Sequence, residues 1–379
     1  MLPIFEDETH AALREATRSW VQRHIAPHAQ AWEEAKSFPV ELYREAGDAG
    51  LMGTAYPEAY GGSGGDTLHG LVVAEELIRG GSVGTAMSLG SHAIALPPIL
   101  AMGTEEQKQR FAPPIIRGEK IAALAVTEPD AGSDVANVGC KAVRDGDHYV
   151  VNGTKTFITS GCRADLVTLA VRTGQPGFGG ITLLVVDTDT PGFSASAPME
   201  KMGWWASDTA ELHFEDVRVP VANRLGPENA GFLGIMANFV HERLFIAATC
   251  VAMARVAFEE SERYVQERSA FGKPLMGFQV TRHKLADMLT REQAARAFTA
   301  VTAERARRGE DVNEDVAMVK NVAVEACSFV TDAAVQLHGG MGYMRECQVE
   351  RLYRDARLFP IGGGTTEIMK EIISRRWRR

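Results

Sequence analysis

Apolar residues recur at helical spacing through the first third of the chain. In HAALREATRSWVQRHIAPHAQAWEEA, the residues Leu13, Ala16, Trp20, Val21 and Ile25 fall on one face and charged residues on the other. LHGLVVAEELIRG has the same character, and TEEQKQRFAPPIIRGE opens with Thr104 placed before Gln107 at capping-box spacing and closes near Gly118. Between them, YGGSGGD from Tyr60 to Asp66 breaks the helical pattern. At Ile121 the texture changes to short apolar runs: IAALAVT, HYVVNG, DLVTLAV, ITLLVVD and AELHFEDVRVP. They are separated by Asp145-Gly146, Asn152-Gly153 and a glycine-rich stretch from Gly174 to Gly180, which supply the positive backbone angles of tight hairpins. The middle of the chain therefore reads as antiparallel β. Near Gly231 the helical period returns and holds to the end, beginning with a long, mostly apolar run of the kind a helix buried on several sides would have. A later segment places Val316, Val319, Ala323, Cys327, Val330 and Ala334 on one stripe that stops at Gly339. The expected division is a helical unit over 1–120, a β unit over 121–230 and a helical unit over 231–379; periodicity alone gives the class α+β.

A chain of 379 residues with 45% hydrophobic content can bury large cores in two or three units. Its formal net charge of -9 argues against a broad nucleic-acid surface. The basic tail Arg375, Arg376, Arg378 and Arg379, with Trp377 among them, reads as a solvated chain end. Cys140, Cys162, Cys250, Cys327 and Cys347 form no C-x-x-C pair, which suits a reducing compartment; no metal site is expected. The N-terminus MLPIFEDETHAALREA has no basic region followed by an apolar one, and no uninterrupted apolar run reaches the roughly 18 residues of a membrane span. A cytoplasmic protein without a membrane span is therefore expected. No G-x-G-x-x-G follows a strand, which disfavours a Rossmann site, and the glycines near Tyr60 lack the G-K-[ST] of a phosphate loop.

Five segments carry the chemistry. LAVTEPDAGSD, Leu124 to Asp134, runs a strand into a turn rich in amides and hydroxyls, which suits the polar edge of a heterocycle. NGTKTFITSG, from Asn152, offers Phe157 and Thr159. ERSAFGKPLMGFQ, from Glu267, carries Arg268, whose guanidinium fork matches two phosphate oxygens. QLHGGMGYMRE, from Gln336, has Gly339 and Gly340, where backbone can approach a bulky group. IGGGTTEIMKEI, from Ile361, completes the set.

On these segments the chain resembles the acyl-CoA dehydrogenase family from end to end, closest in motif pattern to long-chain and isovaleryl-CoA dehydrogenases. The resemblance implies an N-terminal α-helical domain, a middle antiparallel β-barrel domain and a C-terminal four-helix bundle. It implies FAD, held by backbone and side chains of Leu124, Val126, Thr127, Ser133, Phe157, Thr159, Thr365 and Glu367. It implies that Arg268, Phe271 and Gln279 reach the FAD of a neighbouring subunit, while Gln336, Gly339 and Gly340 hold its adenosine diphosphate part. His338 by itself reads as a spacer or a hydrogen-bonded residue. Ser133, Arg243, Gly363 and Gly364 are implied substrate contacts, and the N–H of Gly363 helps polarise the thioester carbonyl.

One departure decides the rest. The family motif usually reads I-Y-E-G-T-x-E/Q-I, and its first glutamate removes a proton from the substrate; here that position is Gly363. Glu242, within FVHERLFIAA, matches the E-R-L pattern of the minority that carries its base on that helix. Removing a weakly acidic proton from carbon 2 of a thioester needs a carboxylate whose pKa is raised by desolvation and donors that stabilise the enolate. An apolar helix supplies the first condition. The competing reading is a buried ion pair with a distant arginine, since adjacent helical residues do not face each other and Arg243 is not the natural partner. A metalloprotease reading of His241-Glu242 fails because H-E-x-x-H would need histidine where Phe245 stands. Gly362 and Gly363 leave space where relatives carry tyrosine and glutamate, which predicts tolerance for branched chains.

The resemblance thus implies an FAD-dependent acyl-CoA dehydrogenase. It would convert a fatty acyl-CoA, branched chains included, to the trans-2-enoyl-CoA as part of β-oxidation. Its electrons would go to an electron-transfer flavoprotein, and its homo-oligomer would be a tetramer, a dimer of dimers. Two alternatives stay open at this stage: an acyl-CoA oxidase-like flavoenzyme, and a non-catalytic subunit that binds flavin or CoA.

Overall fold

The computed structural model describes residues 5–378, so residues 1–4 of the N-terminus and Arg379 of the basic tail lie outside the described residues. The first part is helical: α1 (Glu8–His24), α2 (Ala29–Ala35), α3 (Glu41–Asp48), α4 (Thr67–Ile78), α5 (Val83–Leu89), α6 (His92–Met102) and α7 (Glu105–Ile116). Thr104 and Gln107 cap α7 reciprocally, as their spacing predicts. Asp7 with His10 and Asp66 with His69 do the same for α1 and α4, histidine standing where glutamate usually does, and the two rings stack with centroids 3.8 Å apart. Asp7, His10 and His69 hold ligand-type atoms within 4.8 Å of one another, but those atoms serve these caps. On α1, Trp20, Val21 and Ile25 are buried as expected, but Ala16 is exposed and Thr17 is buried in its place. At about 100° per residue, position 17 lies in the middle of the arc from 13 to 21, and 16 falls outside it.

The middle part is one sheet of β1 (Ala122–Ala125), β2 (Lys141–Asp145), β3 (His148–Thr159), β4 (Leu166–Arg172), β5 (Ile181–Asp187), β6 (Phe193–Ala195), β7 (Thr209–Pro220) and β8 (Arg224–Leu225). The hydrogen-bonded path runs β6-β7-β3-β2-β4-β5-β8, with β1 attached to β4. The expectation of an all-antiparallel sheet needs correction: β1 lies parallel to β4, and β2 touches β4 in parallel at Lys141 and Arg172. Long connections join these pairs, and only a tight hairpin forces the antiparallel sense. Asp145-Gly146 does close the β2–β3 hairpin. Asn152-Gly153 instead sits inside β3, at a bulge opposite β7. A side chain on Gly153 would come within 2.7 Å of Cys140 Cα, so the glycine serves a close backbone approach rather than a turn. Strands β4 and β5 are buried on both faces. One face joins Tyr149, Leu184 and Phe214 in the sheet's own core, and the other packs Leu166, Ala170 and Leu183 against Leu96, Ile99 and Phe111 of α6 and α7. Double burial explains why these strands read as continuous apolar runs.

The last part contains α8 (Gly231–Glu267), the short strands β9 (Ser269–Ala270) and β10 (Lys273–Pro274), α9 (Gln279–Arg307), α10 (Asn313–His338), α11 (Gln348–Ala356) and α12 (Thr366–Ser374). Three long helices, α8, α9 and α10, pack together, with α11 against α8 and α10, and α12 against α10. All six stripe residues on α10 are buried. A single apolar cluster runs from Trp20, Ile25 and Leu77 to Met253, Val319 and Leu352, so the two helical parts share a core. By length and composition alone, 83–102 and 231–267 would qualify as membrane spans; both are mostly buried within the protein, which accounts for their apolarity.

All three parts meet at Asp355, which accepts from Trp204 N at 2.6 Å while its backbone carbonyl accepts from Trp204 Nε1 at 3.2 Å. Burial, then the neighbouring Glu33 of α2, pushes its carboxyl up to about 7. The folded protein therefore keeps a proton that the unfolded chain releases near 3.8, and this group makes stability fall as pH rises from about 4 to about 7. Asp355→Asn keeps the acceptor for Trp204 and removes the titration. Thermal unfolding across pH 4 to 8 should show the variant gaining on the parent as pH rises; a constant difference between the two would refute the assignment.

Candidate active site

A cavity of about 460 Å³ lies between the N-terminal helices and α8. Leu71, Ala74, Leu89, Ala93 and Pro97 give it apolar walls, and Glu242 and His241 come from α8. Glu242 is half-buried as a lining residue of that cavity. Burial pushes its carboxyl above the ordinary range, and the nearby charges of Arg243 and Lys320 hold that rise in check. Burial also lowers His241, which keeps it neutral. Neither Glu242 nor His241 has a hydrogen-bonded side-chain partner among the described residues, so the ion-pair reading of Glu242 finds no bonded cation. Arg243 instead donates through Nε to the carbonyl of Gly363 at 3.5 Å.

The loop from 361 to 366 closes over this point. Gly363 and Gly364 have φ of 64° and 90°, and Thr365 caps α12 by accepting from Ile368 N at 3.2 Å. The ammonium of Lys320, on α10, donates to the carbonyl of Gly364. Among the described residues, no acceptor lies on the amides of Gly363, Gly364 and Thr365, whereas the amides on either side, of Gly362 and Thr366, bond to Leu358 O and Pro360 O. Backbone donors are rarely left idle. Three in succession make an array ready for an acceptor supplied from outside the chain.

A Cβ built on Gly363 would stand 3.3 Å from Glu242 Oε1 and would overlap Ile246 Cδ1. The first distance puts the Glu242 carboxyl in contact range of any side chain at 363. The overlap corrects an expectation: the space left by Gly363 is filled by Ile246, so the glycine pair gives no argument for branched chains. Gly362 meets Leu358 in ordinary contact. Glu367 is exposed on the first turn of α12, where hydrogen bonds lower its carboxyl.

The two expected ring-binding segments come together at another place. Thr127 O accepts from Thr156 N at 2.9 Å, which ties Leu124, Val126 and Thr127 to Phe157 and Thr159. Phe157 is 68% exposed with φ of 59°, a strained, outward-facing aromatic rather than an inward strand residue. Ser133 is exposed on the adjoining turn. Beneath them Lys155, fully buried, donates to Val126 O at 2.9 Å and to Glu128 Oε1 at 2.7 Å, and Glu128 also accepts from Gly139 N and Cys140 N. Ser160 Oγ, next to Thr159, lies 3.3 Å from Ser91 Oγ at the start of α6, which places this sheet end beside a helix of the cavity wall.

The remaining predicted residues gather at the far end of the helical bundle. Tyr264 OH donates to His338 O at 3.3 Å, which joins the end of α8, and so Arg268, to the glycine turn. Arg268, Phe271, Gln279, Gln336, Gly339 and Gly340 are all exposed, Phe271 to 97%. Nothing stands within 4 Å of a Cβ built on Gly339 or Gly340. His338 donates through Nδ1 to Ala334 O at 2.8 Å and stacks on Tyr264, a hydrogen-bonded structural residue. The sequence reading missed the cavity walls, the Lys155–Glu128 pair and Lys320. Lys320 had a visible signal, as a lone cation beside Val319 on an apolar stripe.

With this geometry in view, comparison with known proteins is direct. The N-terminal, middle and C-terminal domains of acyl-CoA dehydrogenase match residues 7–119, 123–217 and 229–377. The chain belongs to the acyl-CoA dehydrogenase family, whose members are FAD-dependent oxidoreductases. It is 40% identical over 375 residues to the mitochondrial long-chain specific acyl-CoA dehydrogenase of Rattus norvegicus, covering 98% of this chain and 87% of that one. It is 39% identical over 366 residues to an acryloyl-CoA reductase (NADH) of Anaerotignum propionicum, covering 96% and 93%. A crystal structure of a probable acyl-CoA dehydrogenase from Mycobacterium abscessus superposes with a TM-score of 0.97 at 49% identity, covering 98% of this chain and 100% of that one.

Replacing Lys155 by methionine would leave the Glu128 carboxylate buried without its cation. A loss of about 3–5 kcal/mol is expected, read by denaturant unfolding. Apparent stability within about 1 kcal/mol of the parent would show that the pair does not brace this segment.

Proposed function

We propose that this chain removes the C2 proton of a medium to long acyl-CoA with Glu242 and yields the trans-2-enoyl thioester. The observation that carries this reading is the 3.3 Å between Glu242 Oε1 and the Cβ position of Gly363, beside an apolar cavity. A base on α8 serves the place where most relatives present one from the loop.

The chain's own residues divide the work. The cavity walls take the acyl chain and exclude water, which strengthens every charge interaction inside. The raised carboxyl of Glu242 suits a general base for a weakly acidic carbon, because its proton affinity lies nearer that of the substrate. The idle amide of Gly363 donates to the thioester oxygen as negative charge develops there, with the cation of Arg243 close behind it. FAD, when bound, accepts the hydride that leaves carbon 3. The residues present fit that cofactor: Phe157 is an exposed, strained aromatic, the turn after Thr127 offers hydroxyls and amides, and Arg268 is an exposed guanidinium at the bundle end. In this reading Leu124, Val126, Thr127, Ser133, Phe157, Thr159, Thr365 and Glu367 hold the ring. Gln336, Gly339 and Gly340 hold the adenosine diphosphate part, and Arg268, Phe271 and Gln279 reach the cofactor of a second copy, which supports a homo-oligomer, a tetramer of two dimers. Three units meeting near residues 120 and 230, an electron-transfer flavoprotein as acceptor, a role in β-oxidation and a cytoplasmic location complete the proposal.

Glu242→Gln should retain FAD and acyl-CoA binding and lose at least about a thousandfold in the rate of flavin bleaching under anaerobic substrate. Bleaching at a near-normal rate would defeat the assignment, and peroxide formed in step with product would favour an oxidase instead. Restoring the loop base tests the shared position. In a Glu242→Gly background, Gly363→Glu should recover activity only when Ile246 is also cut to alanine, since Ile246 Cδ1 fills the path of the new side chain. Equal recovery with and without the Ile246 change would show that the packing argument is wrong.

A further inference from the structure

Lys320 takes no part in the proposal above, yet it is wholly buried. A buried ammonium costs several kcal/mol unless its surroundings compensate it. Here the carbonyl of Gly364 accepts from it, and the nearby Cys250, then Glu242, offset part of the cost. In a trans peptide the carbonyl of one residue and the N–H of the next lie in one plane and point in opposite directions within it. Fixing the Gly364 carbonyl therefore fixes the amide of Thr365, the last of the three idle donors, and Arg243 does the same for the amide of Gly364 by holding the Gly363 carbonyl. Cations from two helices thus hold consecutive peptide planes in a turn whose glycines have positive φ and little conformational restraint of their own.

We propose that Lys320 is a positioning residue for the reaction: from α10 it locks the Gly364–Thr365 peptide plane beside Glu242 and supplies the cation that keeps Glu242 able to give up its proton. This rests on Glu242 being the base. The charged and titratable groups coupled to Lys320 are Glu242, Arg243 and Cys250, all on α8; Cys250 in turn faces Cys327 on α10. The other titratable groups of the cavity around Glu242 are His241 on the same helix, His92 of α6 and Tyr56, and the backbone carbonyls of the 361–366 loop lie beside it. Burial drives the Lys320 ammonium down to about 8, so it is charged at neutral pH. Removing it takes away one of the two influences that lower Glu242.

The test uses the full chain with FAD bound and three variants: Lys320→Met, Lys320→Gln and Lys320→Arg. Lys320→Met should slow flavin reduction per bound FAD about a hundredfold with KM changed less than about threefold, and should move the acid limb of the rate up by about one pH unit. Lys320→Gln, which keeps a donor for Gly364 without the charge, should recover much of the rate and retain the shifted limb. Lys320→Arg should return the limb toward the parent. Infrared difference spectra give a reading independent of turnover: the band of protonated Glu242, identified by its absence in Glu242→Gln, should persist to higher pH in Lys320→Met and Lys320→Gln. A Lys320→Gln protein that binds FAD with the limb and the band both unmoved overturns the proposal, even if it is less stable. Failure of the underlying reading looks different: Glu242→Gln would stay active whatever is done to Lys320.

Discussion

Everything about the site follows from holding one carboxyl group out of water next to a row of unused backbone donors. Burial of a lone carboxylate costs several kcal/mol and raises its pKa, and at Glu242 that cost is offset by Arg243 and Lys320, which bond to loop carbonyls rather than to Glu242 itself. An ion pair with either cation would lower the proton affinity and fill the carboxylate's lone pairs. Charges set at one remove leave it available. The same cations orient the loop, so the electrostatics of the Glu242 carboxyl and the geometry of the amide array are parts of one construction.

That construction needs the two helical parts to be rigid against each other. Glu242 and Arg243 lie on α8, Lys320 on α10, and the cavity walls on α3 to α6, while one apolar cluster joins these helices across the chain. Close-packed cores transmit small displacements instead of absorbing them, so the 3.3 Å relation between positions 242 and 363 is maintained by residues far from either. The sheet is fastened to this body at Ser160 with Ser91 and at Trp204 with Asp355. The segment that carries Phe157 is braced from below by Lys155 and Glu128. The strain at Phe157 is held by that bracing, since an exposed aromatic at positive φ would otherwise relax.

The pairing of an acid at 242 with a glycine at 363 also has a physical basis. A helix side chain and a loop side chain can compete for one place only where they come within contact, and a Cβ at 363 would lie 3.3 Å from Glu242 Oε1. A side chain at 363 would have to push aside the Ile246 Cδ1 methyl that lies in its path. Gly363 is therefore required twice, for its positive φ and for its missing Cβ, while its amide remains free.

The periodicity of the chain was sufficient for the order of helical, strand and helical parts, the stripe on α10 and the cap of α7, because each depends on residues close in sequence. Glu242 was nominated by the family resemblance, through the glutamate missing at 363 and the E-R-L pattern, and the apolar helix around it added only the expectation of a raised pKa. Local pattern misjudged Ala16 and Asn152-Gly153, where one turn of helix or one bulge decides which side a residue faces, and it could not see the parallel pairing of β1, which depends on a partner dozens of residues away. Only the tertiary structure put Ile246 into the space beside Gly363, set Lys320 under Gly364, paired Lys155 with Glu128 and assembled cavity walls from helices distant along the chain. These are contacts between elements, and their energy comes from what packing excludes, chiefly water and alternative rotamers. No single segment of the sequence carries that information.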